Sequence, residues 1–174
     1  MNYLPWLDKD ILILGCGNIL FGDDGFGPAV AENLTNKYII PDNVLVMDAG
    51  LSVREILFDV VLSEKVPKRI IIIDILDHGK IPGEVFEMEI EKIRPCRMDD
   101  FSIHQIPSSN LLKELKDYKH IDIKVIGTRA ADIPAEVRPG LSLMMKNAVD
   151  TATKLIYRKY LSSKKIRSCP NGKT

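Results

Sequence analysis

The amino-acid sequence predicts an α/β fold: a doubly wound, mostly parallel twisted sheet of about five strands, with helices on both faces and one antiparallel edge strand. Three observations carry this expectation. Short apolar runs at residues 11–15, 43–50 and 69–76 each run into a glycine or an acid. Stretches of helical period, 23–37 and 52–63, separate them. The third run contains four consecutive isoleucines, Ile70 to Ile73. Strand and helix in alternation are the mark of parallel βαβ units.

Residues 11–15, ILILG, are apolar throughout and suit a strand buried on both faces. From Asp23 to about Lys37, Phe26, Val30 and Leu34 recur every four residues, and Asp23 or Asp24 stands where a helix N-cap acid belongs. NVLVMDAG (43–50) is a second strand. Residues 52–63, with Val53, Ile56, Leu57, Val60 and Val61, suit a second helix. RIIIIDIL (69–76) is β-branched, stiff and extended, hence a central strand, and it runs into Asp74.

PGEVFEMEI (82–90) alternates imperfectly behind a Pro-Gly turn and reads as the antiparallel edge strand. Residues 91–106, with Pro95 and no period, read as loop, and 107–117 as a short helix starting near Ser108 or Ser109. IDIKVIG (121–127) alternates as a strand; residues 128–140, broken by Pro134 and Pro139, are loop. Residues 141–161 form a long amphipathic helix, with Leu141, Met144, Met145, Ala148, Ala152, Leu155 and Ile156 on one stripe and the methionines as core filler. No repeat or linker divides the chain. A single domain is expected over 1–162, and the polar, basic stretch 163–174 is expected to be a flexible tail.

The 174 residues suffice for one sizeable core. With 24 basic and 24 acidic side chains the net charge is zero, so nothing steers the chain toward nucleic acid or a membrane surface. No run of 18 apolar residues exists, and the first residues lack the basic and apolar regions of a signal peptide. Cys16, Cys96 and Cys169 are far apart and form no C-x-x-C, which argues against a disulfide framework or an all-cysteine zinc site and fits a reducing cytoplasm.

The stretch ILILGCGNILFGDDGFG (11–27) poses the functional question. A dinucleotide turn needs G-x-G-x-x-G between strand and helix. Here Gly15 and Gly17 supply the first two glycines, but Leu20 replaces the third. Asp23 and Asp24 also occupy the helix N-terminus on which a pyrophosphate would rest. The acids point instead to a cation. In parallel sheets, ligands bind outside the carboxyl ends of the strands, where Asp24, Asp48 and Asp74 would gather. Such a cluster repels itself unless a cation or shared protons relieve it.

Each acid has a plainer reading. Asp23 would cap the helix and Asp48 would anchor its own turn. Asp74 is hardest to dismiss, because an unpaired charge directly after four isoleucines is costly. His104, in FSIHQI, sits among apolar residues, where a structural histidine is the commoner case. Beside two carboxylates it would complete a set suited to a borderline divalent transition metal. His78 reads as a turn residue and His120 as solvated. Cys16 reads as a small buried residue. Asn18 would either hold the turn in a left-handed conformation or hydrogen-bond the acid loop.

GCGNILFGDDGFGPAVAENL (15–34) resembles the signature of the [NiFe] hydrogenase maturation endopeptidases, approximately G-x-G-N-x-L-x-x-D-[DE]-G-x-G. DAG (48–50), IIIIDIL (70–76), HQ (104–105) and IGTRAADIPAEVRPGLS (126–142) follow in that family's order. The resemblance implies a protease that cuts a C-terminal extension from a hydrogenase large-subunit precursor after nickel insertion. It maps the metal-binding positions onto Asp24, Asp74 and His104, the first of which is often glutamate in the family. Gly15, Gly17, Asn18, Asp23 and Asp48 would support them. It leads to the expectation that nickel is supplied by the substrate, with no tightly bound metal of the protein's own, and that the substrate is a hydrogenase of deazaflavin-reducing type. Two rivals stand beside this reading: a nucleotide-binding α/β module without protease activity, and an ordinary zinc-dependent hydrolase using the same three ligands.

Overall fold

The computed structural model describes residues 5–6, 8–77, 79–89 and 109–162. Among these residues, five strands form one sheet: β1 (Ile11–Cys16), β2 (Val44–Gly50), β3 (Arg69–Ile75), β4 (Val85–Glu89) and β5 (Asp122–Thr128). Their order is β2-β1-β3-β5-β4. β1, β2, β3 and β5 are parallel, and β4 runs antiparallel to β5 at one edge. The isoleucine run thus takes the central strand, and Val85–Glu89, within the stretch expected to form it, supplies the antiparallel edge.

Among the described residues, four α-helices cover the sheet: α1 (Phe26–Lys37), α2 (Val53–Leu62), α3 (Ser109–Lys119) and α4 (Leu143–Ile156). Because side chains alternate along a strand, β3 feeds two cores at once. Ile70 and Ile72 pack with Leu57 of α2 and Leu115 of α3 on one face. Ile71 and Ile73 pack with Val30 of α1 and Ala152 of α4 on the other. This double burial explains why no polar residue interrupts the run before Asp74.

Two helices differ from their sequence reading. The stretch expected as one helix over 23–37 divides into a 3-10 turn at Gly22–Gly25 followed by α1, whose N-cap is Gly25 with no side-chain cap. The stretch 141–161 begins at α4 behind Ser142, whose hydroxyl accepts from the Met145 N–H, and ends in a π-helical turn at Tyr157–Leu161. The buried stripe of α4 is Met145, Ala148, Val149, Ala152, Thr153 and Ile156. Met144 is off it and 47% exposed, and Leu141 and Leu155 are only partly buried. One residue is about 100° of helical turn, enough to move Met144 from the core to the rim.

His120 is exposed, as expected, and takes φ 55°, the left-handed conformation that ends α3 before β5. His78, the loop 91–106 with Cys96 and His104, and the tail 163–174 with Cys169 lie outside the described residues.

Candidate active site

The chain leaves β1 toward β2 on one side, then returns across β1 to place β3 on the other. A reversal of this kind opens a crevice at the carboxyl ends of the two central strands. Asp24 enters it from the turn after β1, and Asp74 from the end of β3.

Two glycines let the turn approach the sheet. A Cβ on Gly15 would run into the Gly27 carbonyl, and a Cβ on Gly27 would run into the backbone of Cys16 and the Ile73 carbonyl. The close helix–strand approach sought at position 20 is therefore made at position 27. Gly17 takes φ 124° and its N–H donates to the Gly50 carbonyl at 3.2 Å, tying the turn to the end of β2. The left-handed positions in the turn are thus Gly17 and Gly22, at φ 56°, and not Asn18. Asn18 works through hydrogen bonds: its N–H donates to Asp24 Oδ2 at 2.7 Å, and its side-chain oxygen accepts from the Leu20 N–H at 3.0 Å.

Asp24 is 1% exposed and Asp74 is 2% exposed. Burial pushes the Asp74 carboxyl up to about 8, against the opposing pull of the Ile75 N–H, which donates to its Oδ1 at 2.7 Å; the nearby Asp24 charge raises it further. Of the three acids expected to gather at this edge, Asp24 and Asp74 are buried close enough for the charge of one to raise the other. Asp48 stands at the same edge but is exposed, and its Oδ1 accepts from the Gly50 N–H at 2.8 Å, so it does anchor its own turn. His104 lies outside the described residues.

Asp23 is not a helix cap. Its carboxylate, fully buried, accepts hydrogen bonds from the N–H groups of Ala131, Asp132 and Ser142 and from the Ser142 hydroxyl. Cys16 is buried, and burial, with Asp74 and Asp48 adding, pushes its thiol well up, so it is no nucleophile at neutral pH.

Beside the crevice, a cavity of about 450 Å³ lies between α1 and β2, lined by Ile19, Gly25, Pro28, Val46, Asp48 and Leu141 among others. No sequence signal marked it, because its walls come from three separate stretches of chain, 19–35, 46–48 and 140–141. Chemically, a buried pair of carboxylates, one holding its proton near neutral pH, can receive a cation or pass a proton to and from a reacting group.

The profile of the hydrogenase maturation protease family matches residues 28–159. The chain belongs to this family. A protein ascribed to the hydrogenase maturation proteases in Methanocaldococcus jannaschii is 40% identical over 149 residues, covering 85% of this chain and 94% of the relative. The coenzyme F420 hydrogenase subunit delta of Methanothermobacter thermautotrophicus is 35% identical over 153 residues, covering 86% and 93%. Among solved structures, the [NiFe] hydrogenase maturation protease HybD from Thermococcus kodakarensis superposes with a TM-score of 0.63 at 30% identity, covering 85% of this chain and 97% of that one. This maturation protease is therefore an endopeptidase, and the nucleotide-binding alternative gives way. Of its three expected ligands, Asp24 and Asp74 converge. Among the described residues no group of three metal-ligating side chains does.

Proposed function

We propose that this maturation protease removes the C-terminal extension of a [NiFe] hydrogenase large-subunit precursor once nickel has been inserted, and that Asp24, Asp74 and His104 engage the nickel already held by the substrate. One observation carries this reading. Two carboxylates are buried together at the carboxyl edge of the sheet, close enough for the charge of one to raise the other. Such a pair is relieved by a cation brought to it. Substrate-borne nickel meets that need without a resident metal.

The carboxylates would then have two tasks. Asp24, held by the Asn18 N–H, keeps an oriented ligand ready. Asp74 gives up its proton when the cation arrives, and either acid can take a proton from the attacking water, which makes the chemistry aspartyl-type. The relative whose name is a coenzyme F420 hydrogenase subunit supports a deazaflavin-reducing hydrogenase as the substrate. The cysteine usage supports the cytoplasm as the place of reaction.

Purified precursor, nickel-loaded and nickel-free, is incubated with the protease and the product mass is measured. Cleavage of the loaded precursor alone is expected; equal cleavage of both would overturn the proposal. Metal analysis of the purified protease separates the zinc-hydrolase rival, which requires stoichiometric zinc.

A further inference from the structure

We infer that Asp23 is a positioning residue for this active site: its buried carboxylate locks the turn that presents Asp24 to residues 131–142 and to the start of α4. The inference rests on the proposed role of Asp24.

Asp23 Oδ2 accepts from the Ala131 N–H at 3.0 Å, the Asp132 N–H at 2.9 Å and the Ser142 hydroxyl at 3.0 Å, while Oδ1 accepts from the Ser142 N–H at 2.7 Å. Three backbone bonds flank this knot: Gly22 N–H to the Arg138 carbonyl, Asp23 N–H to the Asp132 carbonyl, and Arg138 N–H to the Leu20 carbonyl. The Ser142 hydroxyl is shared, donating to Asp23 and accepting from the Met145 N–H at 3.2 Å. The turn is thus pinned on one side to α4 through Asp23, and on the other to Asn18 through Asp24.

Consecutive acids have divided the work. One faces the crevice, and the other spends four hydrogen bonds on fixing the backbone beneath its neighbour. Holding a turn needs only one cap bond. Four donors drawn from residues 131, 132 and 142 specify its register against a distant segment. Groups that orient a metal ligand in this way typically carry about 10–100-fold in activity or affinity.

The test separates the knot from the helix cap. Aspartate caps helices about as well as serine, so Ser142→Asp leaves α4 its cap, yet it cannot donate to Asp23 and sets a second charge against it. Ser142→Thr keeps the donor. Two readouts are taken: the 15N-resolved amide resonance of Asn18 in the free protease, which reports its bond to Asp24, and kcat and KM on nickel-loaded precursor. In S142D the Asn18 amide is expected to move upfield and kcat to fall about 10–100-fold at unchanged KM, with helix content kept. S142T should match the parent in both. Should S142D not fold, Asp23→Asn, which turns amide hydrogens toward the same donors, is read in the same way. An Asn18 amide that stays in place, or a kcat that holds while the amide moves, would overturn the inference. If the amide moves as expected but the parent protease cleaves no nickel-loaded precursor, the knot stands and the nickel reading fails.

Discussion

Gly15 in β1 and Gly27 in the first turn of α1 face each other where helix crosses strand, and neither position has room for a Cβ. The obstacle at Gly27 is backbone on two strands, Cys16 and Ile73, which no rotamer change can relieve. Gly27→Ala should therefore destabilise the fold by about 3 kcal/mol, the upper range for an overpacked core. Gly79→Ala, where a Cβ would meet nothing but φ is 69°, should cost only about 1 kcal/mol. Urea midpoints of the two variants check the order, and equal losses would contradict it.

Asp74 predicts a pH dependence for the free protease. Unfolded, the group releases its proton near pH 4; folded, it holds it to about pH 8. Between those values the native state binds the extra proton, so stability falls as pH rises through this window. Asp74→Asn removes that titration. The urea midpoint of D74N should change less between pH 5 and 8 than that of the parent and lie above it at pH 8, while processing is lost. A D74N midpoint below the parent's at pH 8 would refute the assignment.

The ligand set makes a graded prediction. The family resemblance admits either acid at position 24, so Asp24→Glu should keep processing within about tenfold, whereas Asp24→Asn, which cannot offer the charge, should lose two orders of magnitude or more. His104→Ala should abolish processing of nickel-loaded precursor. Gel-shift timing of product formation measures all three, and unchanged processing by H104A would remove His104 from the set.

Cys16 sits inside the glycine turn yet is buried with its thiol pushed well up. Cys16→Ala should retain processing, and peptide mapping after iodoacetamide treatment of folded protein at pH 7 should find Cys16 unmodified. Its labelling under these conditions would reopen a cysteine mechanism.

The two adjacent methionines of α4 should behave differently. Met145, fully buried, should cost about 3 kcal/mol on truncation to alanine, and Met144, half exposed, under about 1 kcal/mol. Denaturation curves of M144A and M145A decide this.

The strands were legible because each is an apolar or alternating run, and the isoleucines left β3 no place but the centre. The meeting of Asp24 and Asp74 was legible too, because parallel topology alone brings the carboxyl ends of β1 and β3 together. Asp23 was misread as a cap. Three of its four donors are backbone N–H groups at 131, 132 and 142, which have no sequence signature, and the fourth is the hydroxyl of Ser142, 119 residues away. The glycine template looked for the close approach at Leu20, whereas this turn is longer and delivers Gly27 instead. Asn18 fitted two roles equally well, and its own backbone, which is not left-handed, and its bonds to Asp24 and Leu20 separate them.

The bond from Asp23 to Ser142 spans 119 residues of chain. During synthesis the acid turn leaves the ribosome before its partners at 131, 132 and 142. Closing so long a loop costs entropy that β-sheet pairing and the docked α4 together repay. A chain that lacks Ser142 therefore owns both acids but not the bonds that tie the turn to the start of α4.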